Sequence, residues 1–174
     1  VNAAQGKSDR IRFVRGVVRH PEKVREFGRQ HGFDIVADYN AMLADPTVEA
    51  VVLATPHSTH ADQIVAAAAA GKQVYCEKPL TLKRSEAARA IAACEQAGVT
   101  LAVGYDKRFW PSTRELARIV ASGELGEIIY IEGHNSNEST RGTPAPWRTL
   151  KTETPGAGMT GTGVHTLDRS EEHT

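Results

Sequence analysis

The amino-acid sequence predicts an α/β chain built on a doubly wound parallel sheet, and three observations carry that reading. Short apolar runs alternate with amphipathic stretches from residue 11 to residue 105. The run VEAVVLAT (48–55) is almost continuously apolar, as expected of a parallel strand buried on both faces. The amphipathic stretches stop at glycines, Gly32, Gly71, Gly98 and Gly123, the residue best suited to ending a helix.

Taken in order, IRFVRGVV (11–18) reads as a strand, and PEKVREFGRQHG (21–32) as a helix with proline at its start and glycine at its stop. A short strand at 34–36 and a short helix at 40–44 follow. The strand 48–55 leads into a helix over 58–70. Strand QVYC (73–76), helix 83–97 and strand TLAVGY (100–105) complete the alternation. In the helix from 83, Ala87, Ile91 and Cys94 fall on one apolar stripe. Beyond residue 106 the rhythm changes. A helix over 111–122 carries Leu116, Ile119 and Val120, EIIYIEGHNS (127–136) reads as a longer strand, and a Pro/Thr-rich loop (139–155) precedes the Gly-rich PGAGMTGTGVHTLD. The division expected is a dinucleotide-binding-type domain over 1–122 and the start of a second α/β domain over 123–168. The first eight residues resemble a helix tail, and the polar run 169–174 reads as a non-native tail.

Composition narrows the function classes. The 174 residues are 40% hydrophobic and 24% charged, with Lys+Arg and Asp+Glu balanced at 21 each. That is an ordinary globular composition without the basic surplus that attracts nucleic acid or anionic membrane. No apolar run reaches transmembrane length. Cys76 and Cys94 show neither CxxC spacing nor disulfide density, which suits a reducing, cytoplasmic setting.

Chemistry concentrates where strand 73–76 ends in Glu77-Lys78-Pro79. Ligands of open α/β sheets bind at the carboxyl ends of their strands, so a carboxylate and an amine crowded there point to a site. His165 offers a side chain that titrates near neutrality and can move a proton. The H-x-x-H spacing of His57 and His60 could suggest a metal, but no third ligand accompanies it, and no metal is expected.

Six segments in order, ATPHSTH, GKQVYCEKPLTL, GYDKRF, ASGELGEI, PAPWR and GAGMTGTGVHTLD, resemble the Gfo/Idh/MocA oxidoreductases, the glucose-fructose oxidoreductase and inositol dehydrogenase family. The similarity spans residues 1–168. It implies a Rossmann-type dinucleotide-binding domain, a C-terminal α/β domain whose sheet often forms a homo-oligomer interface, and NAD(P)-dependent hydride transfer on sugars, polyols or cyclic alcohols and ketones. By the same resemblance Lys78, which would also contact the cofactor beside the nicotinamide, would donate to or polarise the reacting oxygen, and His165 would be the acid/base, the two catalytic residues. Glu77 would meet the nicotinamide ribose or orient Lys78, and Pro79 would stiffen the turn, with no cis bond inferred. Thr55, Pro56 and His57 would lie against the dinucleotide, with His60 structural. Arg108, Trp147 and Arg148 would contact cofactor or substrate.

Two departures qualify the resemblance. Many members carry an Asp four residues before the histidine, where this chain has Gly161. Thr160 or Thr162 could orient the substrate instead, and Asp168 is expected to be structural or substrate-orienting. At the end of strand 11–18, Val18, Arg19 and His20 stand where an NAD-preferring site places a carboxylate. Arg19 therefore favours the 2′-phosphate of NADP over NAD. The phosphate-binding glycine loop and the strand before it are expected upstream of Val1, in the centre of the sheet, so this stretch taken alone is expected to be poorly stable and to bind dinucleotide weakly. Two other readings are an NAD-dependent glycosidase using transient oxidation and a nonenzymatic dinucleotide-sensing regulator.

Overall fold

A computed structural model describes residues 6–134 and 146–171, and it divides the parallel strands into two sheets. β1 (Arg15–Val17) pairs with β2 (Asp34–Val36), and β3 (Ala50–Leu53), β4 (Gln73–Cys76) and β5 (Leu101–Val103) form the other sheet in that order. All three pairings are parallel. β1 and β3 are not bonded to each other, which leaves the two inner edges open where the central strand was expected. The helix-tail reading of the first residues lies largely outside the described residues, since 1–5 are not among them.

The helices form where the sequence pattern placed them. A 3₁₀ turn at Pro21–Lys23 leads into α1 (Arg25–His31), which Gly32 closes at φ 72°. α2 (Tyr39–Leu43) starts at Asp38, whose side chain accepts the backbone N–H groups of Asn40 and Ala41. α3 (His60–Ala69) runs to Ala70 and Gly71, and α4 (Arg84–Ala97) stops at Gly98 with φ 66°. α5 (Pro111–Ala121) has proline at its first position. A π-helical turn, Met159–Gly163, opens into α6 (Val164–Glu171), so the Gly-rich segment is helical at its end and the helix continues into the run read as a tail.

The core lies between β3–β4 and the α3–α4 pair. Ile64, Ala67 and Ala68 of α3 and Ala90 and Cys94 of α4 are buried against Val51, Leu53, Val74 and Cys76. Alanines on both helices let their backbones approach closely, and Arg89 reaches Asp62 across them at 2.5 Å.

Three sequence expectations are corrected. β3 is buried on one face only: Leu53 and Val51 point into the core, while Val52 is 58% exposed. α3 and α4 cover one side of this sheet, and no described helix covers the other at Val52. In α4 the buried stripe runs through Ala90 and Cys94, and Ile91 stands at the rim, where it lines an apolar groove with Leu80, Val99 and Leu101. Residues 127–134 are not a strand, because nothing among the described residues pairs with them, and Ile129 is 91% exposed. Residues 135 and 136 of that expected strand lie outside the described residues.

Candidate functional site at the strand ends

The carboxyl ends of β3, β4 and β5 lie side by side because the ladder extends past each strand. Glu77 N–H donates to the Leu53 carbonyl at 2.9 Å, and Gly104 N–H donates to the Cys76 carbonyl at 2.8 Å. This register brings Thr55, Glu77 and Gly104 to one rim. Gly104 is buried, and a Cβ there would stand 3.0 Å from the Tyr75 hydroxyl and 3.3 Å from the Glu77 carboxyl. The Tyr75 and Glu77 side chains therefore lie directly against the Gly104 backbone, and glycine at this position is what lets them pack there.

His60 fixes the rim from below. It is fully buried, with Nδ1 3.0 Å from the Pro79 carbonyl and Nε2 3.1 Å from the Thr55 carbonyl. One ring thereby ties the turn after β3 to the turn after β4, a structural part rather than a ligand. The Lys78–Pro79 peptide in that second turn is cis, which the sequence reading did not infer. Thr55 Oγ1 donates to Gln63 Oε1 at 2.5 Å, anchoring the first turn to α3.

Residues from the far end of the chain close over this rim. Lys78 Nζ donates to the Gly161 carbonyl at 2.5 Å, so the position where an Asp was expected meets Lys78 through its backbone. His165, on the first turn of α6, is buried with its ring edge-on to Tyr105 at 6.0 Å. Burial lowers the His165 pKa, and the positive charges of Lys78 and Lys107 act the same way, against the opposing pull of Asp106 and Asp168. Near neutrality the imidazole is thus held uncharged and able to accept a proton beside a cationic lysine.

Arg108, from the 3₁₀ turn Asp106–Phe109, grips α6. Its Nε donates to Asp168 Oδ2 at 2.8 Å and its Nη2 to Oδ1 at 2.5 Å, a bidentate pair with the carboxylate buried. Asp168 and Arg108 therefore set the orientation of the helix that carries His165. Trp147, in the 3₁₀ turn Pro146–Thr149, packs edge-on to His57 at 5.3 Å. The side chain of Arg148 lies outside the described residues. Arg19 is exposed just past β1, on the two-stranded sheet, whereas the other site residues gather at the three-stranded one. Sequence reasoning missed Glu153, Tyr105 and Gln63. Tyr105 lies within the GYDKRF segment without having been singled out there, and Glu153 and Gln63 carry no motif signal because they act through fold contacts.

Burial pushes the Cys76 thiol up to about 12, with the Glu77 charge adding to it, so this buried cysteine beside the rim stays protonated near neutrality. Among the described residues, no group of three or more His, Cys, Asp or Glu side chains could hold a metal ion. No described helix is long and apolar enough to cross a membrane.

Parallel strands flanked by helices, with polar strand ends against which the 147–165 segment packs, give the chain a Rossmann-like α/β fold. Residues 1–105 match the oxidoreductase family with an NAD-binding Rossmann fold, GFO_IDH_MocA, and residues 113–171 match the GFO/IDH/MocA C-terminal domain. The chain belongs to this family. It is 40% identical over 97 residues to a scyllo-inositol 2-dehydrogenase (NAD(+)) of Bacillus subtilis, covering 56% of this chain and 28% of that protein. It is 44% identical over 98 residues to D-xylose 1-dehydrogenase (NADP(+)) 2 of Haloferax volcanii, covering 56% and 30%. The crystal structure of an NAD-binding protein from Listeria innocua superposes with a TM-score of 0.79 at 28% identity, covering 97% of this chain and 49% of that one. The matches thus span about a third of the curated relatives' length and about half of the solved structure.

Proposed function

We propose that this chain carries the reaction centre of an NAD(P)-dependent oxidoreductase acting on the CH–OH group of a sugar, polyol or cyclic alcohol, or on the matching ketone. The observation that carries the reading is the bond from Lys78, just past the end of β4, to the carbonyl of Gly161, 83 residues further along the chain and in the turn that opens into the helix carrying His165. A bound nicotinamide would supply the hydride acceptor or donor. Lys78 holds its ammonium at the rim, where it can donate a hydrogen bond to a substrate oxygen. His165, kept neutral by burial and by nearby cations, accepts the hydroxyl proton at an imidazole nitrogen in oxidation and returns it in reduction. Thr55, Pro56, His57 and Glu77 would line the dinucleotide at the strand ends. Trp147 walls the mouth through His57, and Arg148 is placed in the same group by its sequence position. Arg108 acts through Asp168 on α6.

For the cofactor we favour NADP. β1 carries its ladder to Val18, whose N–H donates to the Val36 carbonyl, and the exposed cation Arg19 follows immediately where NAD selection would use a carboxylate. A homo-oligomer and a cytoplasmic setting belong to the same reading, the first supported by the exposed Ile129 and Tyr130.

The test is a screen of the whole protein against inositols, aldoses and their ketones with each cofactor. Lys78→Met should lower kcat by roughly 10²–10⁴ with dinucleotide binding retained. Turnover with NADPH should exceed that with NADH. A clear NADH preference sinks the Arg19 assignment, and an unchanged kcat in Lys78→Met sinks the reaction centre.

A further inference from the structure

Glu153 belongs to none of the groups that act on substrate, yet it is one of the few buried carboxylates among the described residues, 9% exposed. Burying a carboxylate is costly unless donors meet it. Here they come from 95 residues earlier in the chain. Ser58 Oγ donates to Oε1 at 2.5 Å, and Ser58 N–H donates to Oε2 at 3.0 Å. The preceding residue takes the other end of Glu153, with His57 Nδ1 donating to its carbonyl at 2.7 Å. Two consecutive residues thus grip the backbone and the side chain of one glutamate, which fixes its orientation as well as its position.

The grip sits at an informative place. His57 and Ser58 form the 3₁₀ turn His57–Thr59 between the end of β3 and α3. Glu153 closes a tight turn after Trp147, with its N–H donating to the Leu150 carbonyl at 3.0 Å and Leu150 N–H donating to the Trp147 carbonyl at 3.3 Å. Trp147 in turn stands edge-on to the same His57. Removing the carboxylate would take away both Ser58 hydrogen bonds, while the His57 contact to the Glu153 carbonyl and the His57–Trp147 ring contact would remain.

We infer that Glu153 is a positioning residue that latches segment 146–154 onto the end of β3, so that Trp147 and His57 together wall one side of the dinucleotide mouth. The functional half of this inference rests on the NAD(P) reading of that mouth; the latch itself does not. Desolvation works against the Glu153 carboxylate, but the two Ser58 hydrogen bonds and the charges of His57 and His60 leave its pKa below the ordinary value, so the latch is charged at neutral pH.

The chain has two tryptophans, Trp110 and Trp147, so a Trp110→Phe background makes Trp147 the sole reporter. Acrylamide quenching of its fluorescence should rise severalfold in Glu153→Ala and by less in Glu153→Gln, which keeps one acceptor oxygen. Ser58→Ala should reproduce part of the effect, and the double variant should add little to Glu153→Ala, as expected of partners in one contact. Far-UV circular dichroism checks folding, and the Gln and Ser58 variants stand in if the Ala variant fails to fold. In the whole protein, Glu153→Gln should weaken NADPH binding by about tenfold, the loss of one charge-assisted hydrogen bond, with kcat at saturation little changed. Unchanged quenching overturns the latch. Raised quenching with unchanged NADPH affinity overturns its role at the mouth. Absence of any NADPH binding by the unmutated protein overturns the dinucleotide reading and with it that role, while the quenching series still decides the latch.

Discussion

The two sheets use the same parallel pairing and differ sharply in what they bury. The β3–β4–β5 sheet and its helices own the most deeply buried large side chains among the described residues, Ile64, His60 and Cys76. The β1–β2 pair adds Val14, Val17 and Val36, all of them only partly buried against that core. The cause is coverage. α3 and α4 lay Ala-rich faces of ten- and fourteen-residue helices on the larger sheet, whereas β1–β2 is flanked only by the short helices α1, of seven residues, and α2, of five. A two-stranded pair has little stability of its own in water. The larger sheet should therefore hold the fold and the strand-end site together, while the smaller one holds Arg19 with much less behind it. On the proposed reading, cofactor choice and catalysis would then sit on parts of unequal stiffness.

The largest effect expected from this comparison is at Ile64, which has no exposed surface and lies at the centre of the α3 face. Ile64→Ala should destabilise the chain by about 3 kcal/mol, the transfer of the lost methyl groups plus a cavity the surrounding alanines cannot fill. A urea melt measures it. A loss under 1 kcal/mol would mean that the core is not centred there.

The smaller sheet has its own sensitive point. Gly28 of α1 is buried, and a Cβ there would come within 2.7 Å of the Phe33 backbone carbonyl and 2.6 Å of the Ile35 side chain. Only a glycine lets α1 approach β2 so closely, and Gly28→Ala should cost roughly 2 kcal/mol through overpacking. Amide hydrogen exchange sharpens the comparison further. The amides of β1–β2 should exchange faster in the variant, while those of β3, β4 and β5 keep their protection. Equal acceleration in both sheets would show that they unfold as one unit and would remove the distinction.

The same contrast explains what the sequence could reveal. Helix stops were legible because a glycine at positive φ is a local signal, as Gly32, Gly71 and Gly98 show. The candidate site at Glu77-Lys78 could be placed at a strand end because the position follows from the order of the strands. Whether a face is covered is not local: Val52 has the residue type of a buried strand and stands exposed because no described helix lies over it. Residues 127–134 have strand-forming side chains and no partner ladder among the described residues, so pattern alone misled. Glu153 was invisible for the same reason, since its value comes from Ser58 and His57, 95 and 96 residues away in the chain. The bond from Lys78 to the Gly161 carbonyl had no sequence signal either, because any residue supplies a backbone oxygen.

The smallest expected effect concerns the charged tie between the two halves. Arg15 on β1 donates from Nε to Asp45 Oδ2 at 2.6 Å and lies 3.3 Å from Asp34, while Asp45 leads from α2 towards β3. The Asp45 carboxyl is lowered from 3.8 to about 2, first by the Thr47 hydroxyl, then by Arg15 and the Thr47 N–H. A depressed carboxyl stabilises the fold above its unfolded value, so this contribution is complete above pH 3.8 and disappears as pH falls to about 2. Arg15→Met should raise the Asp45 pKa only part of the way, because the Thr47 bonds remain, and a carboxyl NMR titration reads that directly. Above pH 5 the variant should lose little stability, and the loss should shrink with added salt, as expected of an exposed pair. A loss comparable to that of Ile64→Ala would mean that charge rather than packing joins the two sheets, reversing the order of effects argued above.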